Sequence, residues 1–487
     1  MNDAQHAIRT VSLGTVFRLL RWPFILLSMT VIPRIMGHVT YGQYALFTSV
    51  YLIADMLTDV SITQIFGRFV PGDNSSEHFE KQRQLLRSVL IIGTALTVAL
   101  AAILSFVVWR HPFESFPAVW LLPLCVLLFL TRIEGVLFAF VYGLNHIARY
   151  SSREVLRSMF TFIVVVALYS RFGLIGAIWA MVLREMVLTV IVLPWVKDYL
   201  AGGRTAPIRE MKTLVLFGLQ FYVPTLLFGI LQRSGNVFVQ SITHSSEEVA
   251  HFDIANQFFL MSLTFLGVIL MTLLPSMTKL HMDNEHQTIH RWHGRAMTYC
   301  GAMIALVFNA IVWLGKPAVQ MCLGPDFTPS YSIILVIVIA MVPGLVCYIG
   351  INYAILEKKS AAYISGVICG IAGMALICWV LIPRIGAIGA AWATGAGHLI
   401  LALFFFVRYK KHLLPIIVEF MKPLLIGGCF AIGLAFDVRL RYAILLFAMS
   451  TALYVAILSA LHIINWALLI GIVKSVFAPA KNGPAAS

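Results

Sequence analysis

Charge is what this chain has least of. Asp, Glu, Lys and Arg make up 11% of its 487 residues, and only 21 are acidic. So few charges cannot solubilise a composition that is 60% hydrophobic, which excludes a cytosolic enzyme and a nucleic-acid-binding domain. The seven cysteines (Cys125, Cys300, Cys322, Cys347, Cys369, Cys378 and Cys429) lie in or at the ends of apolar runs without paired spacing. They read as small buried hydrophobes, not as a disulfide framework or metal site. No Walker motif, zinc spacing or nucleophile elbow occurs, so we expect a non-enzyme without catalytic residues, metal or cofactor. A removable signal peptide is not expected either: the polar residues 1–10 lead into a long apolar run with no small-x-small site after it.

What is present is long apolar runs. Those long enough to cross a bilayer fall near 11–36, 42–66, 85–109, 117–142, 155–170, 173–196, 211–241, 249–275, 296–315, 329–355, 361–382, 386–408, 419–438 and 440–463. The expected fold is an all-α polytopic membrane protein of about 14 helices. With the N-terminus in the cytoplasm, 23 of the 35 Lys and Arg fall in cytoplasmic segments and seven in outer loops. This is the positive-inside pattern, and it places both termini in the cytoplasm. Trp109, Trp120, Trp195 and Trp313 sit at span ends, where an aromatic belt would put them. The outer loops are too short to hold an external domain.

Residues 171–180 (Arg-Phe-Gly-Leu-Ile-Gly-Ala-Ile-Trp-Ala) repeat at 384–393 (Arg-Ile-Gly-Ala-Ile-Gly-Ala-Ala-Trp-Ala), an offset of 213. Each copy is a Gly-rich turn, and the copies open helices 6 and 12. Six spans apart means the same direction of crossing, so the halves are parallel repeats around a central cavity. The expected units are an N-lobe at 1–200 (helices 1–6), a C-lobe at 201–410 (helices 7–12), and 411–487 with helices 13–14 and a cytoplasmic tail. Helices 13 and 14 read as lipid-facing.

Nine ionisable residues stand out within spans of the first half or just past it: Arg18 and Arg21, Asp55 and Asp59, Arg132 and Glu134, Arg184 and Glu185, and Arg233. Facing lipid at the bilayer centre, each would cost about 2.5–3.5 kcal/mol on an insertion scale, so they face protein or a watery cavity. Arg18 and Arg21 share one helix face and Asp55 and Asp59 another, at matching depths, which suggests Arg18–Asp59 and Arg21–Asp55 pairs. Two compatible readings stand. The charges lock helices together, or they line a cavity and meet an anionic substrate or titrate. Neighbours such as Arg184 and Glu185 point about 100° apart, so at most one faces a given partner. In the first six helices, four Arg balance four acids. Glu185 maps by the repeat to His398, which reads as a packing donor. Pro23 and Pro224 lie at similar depths in the opening helices of the two halves and read as kinks near the working centre. The His-rich segment 279–294 reads as an amphipathic interfacial stretch and not a metal site.

Three stretches carry a resemblance: Ile32-Pro-Arg-Ile-Met-Gly-His-Val-Thr-Tyr-Gly-Gln-Tyr-Ala-Leu, Leu323-Gly-Pro-Asp-Phe-Thr-Pro-Ser-Tyr and Ile382-Pro-Arg-Ile-Gly-Ala-Ile-Gly-Ala-Ala-Trp-Ala-Thr. In that order, on this layout, the chain resembles the polysaccharide transporters, including Wzx-type flippases, of the multidrug/oligosaccharidyl-lipid/polysaccharide flippase superfamily. The resemblance implies two six-helix lobes that open alternately. The implied substrate is a polyprenyl-pyrophosphate-linked oligosaccharide, moved from the cytoplasmic to the periplasmic leaflet of a bacterial inner membrane. Arg18, Arg21, Arg132, Arg184 and Arg233 are then the candidates for substrate binding. Asp55, Asp59, Glu134 and Glu185 are the candidates for H⁺ or Na⁺ coupling or for salt bridges. A polysaccharide polymerase or another synthesis protein is an implied partner. The alternatives are a cation-coupled multidrug exporter on the same scaffold and a non-transporting subunit of a synthesis complex.

Overall fold

The computed structural model describes residues 3–59, 61–70, 76–110, 116–201, 205, 207–283, 285–357, 359–436 and 440–464; the side chains of 3–19 and a few others, including 268–276, lie outside the description. Among the described residues there are helices and turns but no strand. The helices are α1 (Asp3–Thr58), α2 (Ile62–Phe69), α3 (Ser76–Arg110), α4 (Leu121–Gly143), α5 (Ile147–Leu200), α6 (Ile208–Arg233), α7 (Gly235–Thr243), α8 (Ser246–Met282), α9 (His286–Ala310), α10 (Lys316–Cys322), α11 (Ser330–Leu356), α12 (Ser360–Ile385), α13 (Ala387–Gly427) and α14 (Leu440–Ala460).

Several helices are too long for one crossing. The 54 residues of α5 would span about 80 Å at about 1.5 Å per residue, more than twice a hydrocarbon core. Each such helix carries one non-helical residue: Gly37 in α1 (φ 72°), Gly173 in α5 (φ 60°) and Tyr409 in α13 (φ −118°). Nine apolar helices among the described residues are long enough to cross a membrane, or ten with the bent pair 209–233.

The sequence repeat is a structural repeat in its backbone. Gly173 (φ 60°, ψ −147°) and Gly386 (φ 59°, ψ −140°) adopt the same left-handed turn, which side chains rarely tolerate. Three residues on, a Cβ on Gly176 would lie 2.3 Å from the Leu168 carbonyl oxygen, and one on Gly389 would lie 2.7 Å from the Leu381 carbonyl carbon. Both turns therefore close onto the preceding helix through a missing side chain. Trp179 and Trp392 are similarly exposed beyond them, at 38% and 44%.

Three expectations need correction. Helix 5 starts at Ile147 and not 155, so Arg153 and Arg157, counted among the cytoplasmic charges, lie on a helix and point into the protein. Trp120 is not a belt residue: it is buried, edge-on to Phe47 and Phe116. The His-rich segment also packs inward, with His293 fully buried against Tyr353 and His290 hydrogen-bonded to His412 at 3.0 Å. Of the two prolines, Pro224 lies just past a 42° bend at 220–222, whereas Pro23 lies in helical backbone and α1 breaks at Gly37 instead. On α14, Tyr442, Ile444, Leu445, Met449 and Leu453 are exposed, as a lipid-facing helix requires.

Candidate functional site

A network of ions, buried at Arg132, Glu134, Arg184 and Glu185, ties α1, α4 and α5 together. Arg132 on α4 is 3% exposed and donates to the Asp55 carboxylate (3.0 Å), the Asp55 carbonyl (2.9 Å) and Thr58 Oγ1 (2.6 Å), with Asp59 Oδ1 at 3.6 Å. Arg153 forks onto Glu134 at 2.7 and 2.5 Å. Arg157 and Arg184 both donate to Glu185 Oε1, and Arg157 also reaches Tyr51 Oη at 3.3 Å. Arg21 meets Glu154 at 2.7 Å. Removing an ion from water into such surroundings costs several kcal/mol, which only close opposite charges and filled hydrogen bonds offset.

Beside this network a cavity of about 370 Å³ lies between α1, α5, α6, α7 and α8. Arg21, Arg184 and Arg233 line it, with Asp253 as the acid among its lining residues. Trp22, Tyr41 and Tyr44 supply aromatic wall. Arg184 is anchored by Thr161 Oγ1 at 2.9 Å and by Glu185. The Nε of Arg233 is buried and has no hydrogen-bond partner among the described residues. Cationic forks held in low-dielectric walls suit an oxyanion such as a phosphate.

At the Gly37 end α1 meets α7 and α8. Tyr41 Oη donates to Asp253 Oδ2 (2.7 Å), and Gln257 Nε2 bridges both (2.6 Å to the carboxylate, 2.9 Å to the phenol). Asn236 Nδ2 donates to Asp253 Oδ1 (2.6 Å) and to Ser49 Oγ (2.8 Å). Farther out, His38 lies between Glu247 (3.8 Å) and Asp326 (3.9 Å), and Arg34 donates to the Met321 carbonyl (2.7 Å). Gly42 approaches so closely that a Cβ there would sit 1.7 Å from the Ser246 carbonyl oxygen. Arg21 and Glu154, 30% and 43% exposed at the side chain, belong to the looser opposite part.

The sequence pattern of the polysaccharide biosynthesis protein family matches residues 9–281, more than half of the chain. The chain belongs to this family. None of the curated proteins matches it. Among solved structures it is similar to the lipid II flippase MurJ in an inward closed conformation, with a TM-score of 0.68 and 12% identity over 94% of this chain and 100% of that one. It is similar to an inward-facing multidrug resistance MATE family transporter of the MOP superfamily, with a TM-score of 0.64 and 13% identity over 84% and 98%. The bent form of the Vibrio cholerae MATE transporter VcmN gives 0.52 and 16% identity over 84% and 99%. At these identities the likeness is one of fold: a transporter fold of the MOP type, in a multi-pass membrane protein of the polysaccharide biosynthesis family.

On this family scaffold the anticipated residues divide. Arg21, Arg184 and Arg233 come together at the cavity. Arg132 does not; it is spent on Asp55, Thr58 and Asp59. The Arg18 side chain lies outside the described residues. The expected Arg21–Asp55 pair is replaced by Arg21–Glu154, with Arg132 holding Asp55 and approaching Asp59; the expected Arg18–Asp59 pair falls on a side chain outside the described residues. Matching depth was a sound criterion, but it ignored azimuth: the acids of α1 face α4. Arg184 also departs from expectation, because its long side chain curls back onto its own neighbour Glu185. His398 is buried between Phe228 and Phe259 with Nδ1 at 2.8 Å from the Thr394 carbonyl, a packing role. Sequence reasoning missed Arg153, Glu154, Arg157 and Asp253. The spacing of Arg153 and Arg157, one helical turn apart ahead of an apolar run, was the available signal.

Proposed function

We propose that this protein is a flippase that carries a polyprenyl-pyrophosphate-linked oligosaccharide from the cytoplasmic to the periplasmic leaflet of a bacterial inner membrane. The observation that carries the proposal is the cavity between the halves with Arg21, Arg184 and Arg233 in its wall. A glycan head group crossing hydrocarbon would lose its hydrogen bonds to water, and a polar chamber replaces them. Guanidinium forks match the oxygens of a pyrophosphate, while the polyprenyl tail stays in lipid outside the gap between the halves. Alternating access then exchanges the closed Gly37 end for an open one, with both termini on the cytoplasmic side.

Coupling to H⁺ or Na⁺ falls to Asp55 and Asp59, whose side chains are 26% and 54% exposed, in preference to Glu134 and Glu185, which are fully buried under arginine. The test is flipping by the purified protein in proteoliposomes, with a fluorescent undecaprenyl-pyrophosphate oligosaccharide read by leaflet accessibility. Fast flipping that is lost in folded Arg21→Ala and Arg233→Ala variants supports the reading. No flipping with several glycans and an imposed ion gradient overturns it in favour of multidrug export or a non-transporting role in a synthesis complex.

A further inference from the structure

The Asp253 end of the cavity differs chemically from its arginine wall. Asn236 and Asn256, which are 1% and 4% exposed, both line the cavity. The Oδ1 atom of each is buried and has no hydrogen-bond partner among the described residues. The amide of Asn236 cannot simply be reversed, because its Nδ2 already donates to Ser49 and to Asp253 and an oxygen there would face the carboxylate. Asn256 Nδ2 likewise donates to the Gln232 carbonyl, at 3.3 Å. Two buried acceptors and one buried donor, Arg233 Nε, all without a partner among the described residues, therefore belong to residues of the same cavity wall. Leaving such groups unmet costs free energy, so the ligand that completes them gains affinity and selectivity.

The mixture discriminates between ligand classes. A phosphate offers only acceptors and would leave the Asn oxygens unmet. A metal cation needs only acceptors, and Arg233 beside Asp253 repels it. A polyol offers both kinds of group from each hydroxyl. The same carboxylate joins the halves, since Tyr41 and Ser49 come from α1 and Asn236, Asp253 and Gln257 from α7 and α8. We propose that this end is a glycan site that doubles as the latch between the halves, so that sugar hydroxyls taking up the Asn236, Asn256 and Asp253 groups loosen the closed end as they bind. This rests on the flippase reading and deepens it. A head group entering from the Arg21 side places its sugars at Asp253 and Arg233 and its pyrophosphate behind them at Arg21 and Arg184.

The test compares two fluorescent undecaprenyl-pyrophosphate lipids in the same proteoliposomes, one bearing an oligosaccharide and one bearing no sugar. Wild type is expected to move the glycan-loaded lipid faster, and Asn256→Ala to lower the ratio of the two rates at least tenfold with a melting temperature near wild type. Spin labels on non-canonical residues at positions 39 and 321, both exposed at the closed end, should move apart with the glycan-loaded lipid only. An unchanged ratio in folded Asn256→Ala and Asn256→Gln variants, or equal label movement with both lipids, overturns the glycan site while leaving the flippase reading standing. Failure of wild type to move either lipid overturns both.

Discussion

Arg153 holds Glu134 through two nitrogens, at 2.7 and 2.5 Å, and Glu134 is fully buried. The pair staples α4 to the first leg of α5, with the Phe138 ring 5.7 Å from the guanidinium carbon. Glu134→Ala leaves a buried guanidinium without its counter-ion and should cost about 3–5 kcal/mol, seen as a large drop in melting temperature in detergent. The double variant Glu134→Leu with Arg153→Met removes both charges and should recover most of that loss. If the double variant melts no higher than the single one, the pair's value lies in packing and not in charge.

Arg21 and Arg132 were indistinguishable as intramembrane arginines in the sequence, yet their surroundings predict opposite phenotypes. Arg21 is 30% exposed at the side chain, has one carboxylate partner and lines the cavity. Arg21→Ala should melt within a few degrees of wild type and lose transport. Arg132 is 3% exposed and satisfies three groups of α1. Arg132→Ala should lose folded protein first, with yield and melting temperature falling together. Equal melting temperatures for the two variants would contradict the division.

The contrast between glycine turns and ion pairs shows what the sequence can carry. Arg171–Ala180 and Arg384–Ala393 announce matching turns because a left-handed backbone admits few residues besides glycine, so geometry is written in residue type. Charge partners are not written that way. Any Arg within reach satisfies Asp55, and the choice of Arg132 over Arg21 depends on how α1, α4 and α5 are rotated about their axes. Asp253 escaped notice for a related reason: one acid in an apolar run has no pattern, and only the fold brings Tyr41, Asn236 and Gln257 to it. The span boundaries failed where a helix start is amphipathic, as at Ile147–Arg157.

The two repeat turns should respond unequally to the same substitution. Gly173→Ala and Gly386→Ala each force a side chain into positive φ with strongly negative ψ, at about 1–3 kcal/mol. Around Gly173 a Cβ meets nothing within 4 Å, whereas at Gly386 it lies 2.7 Å from Glu248 Oε2. That oxygen accepts a hydrogen bond from the Ala387 amide at 2.6 Å, so displacing it also uncaps the following helix. Gly386→Ala should therefore lower the melting temperature clearly more than Gly173→Ala. Equal shifts would mean that the Glu248 contact contributes nothing.

Gly42 tests the closed end more sharply than any hydrogen bond there. Removing His38 or Arg34 deletes partly exposed contacts worth about 0.2–1 kcal/mol each, too little to empty one of two conformations. A Cβ on Gly42 instead lies 1.7 Å from a backbone oxygen, that of Ser246, and no rotamer change can relieve it. Gly42 belongs to α1 and Ser246 opens α8, so relief requires these two backbones to part. Gly42→Ala is therefore expected to populate the conformation that is open at the Gly37 end, with labels at positions 39 and 321 farther apart than in wild type. Flipping should stop, because a carrier held in one conformation completes no cycle, while the protein still purifies as a folded monodisperse species. Native label distances in this variant would show that the backbones separate locally without moving the halves, and that closure there is not what the cycle switches.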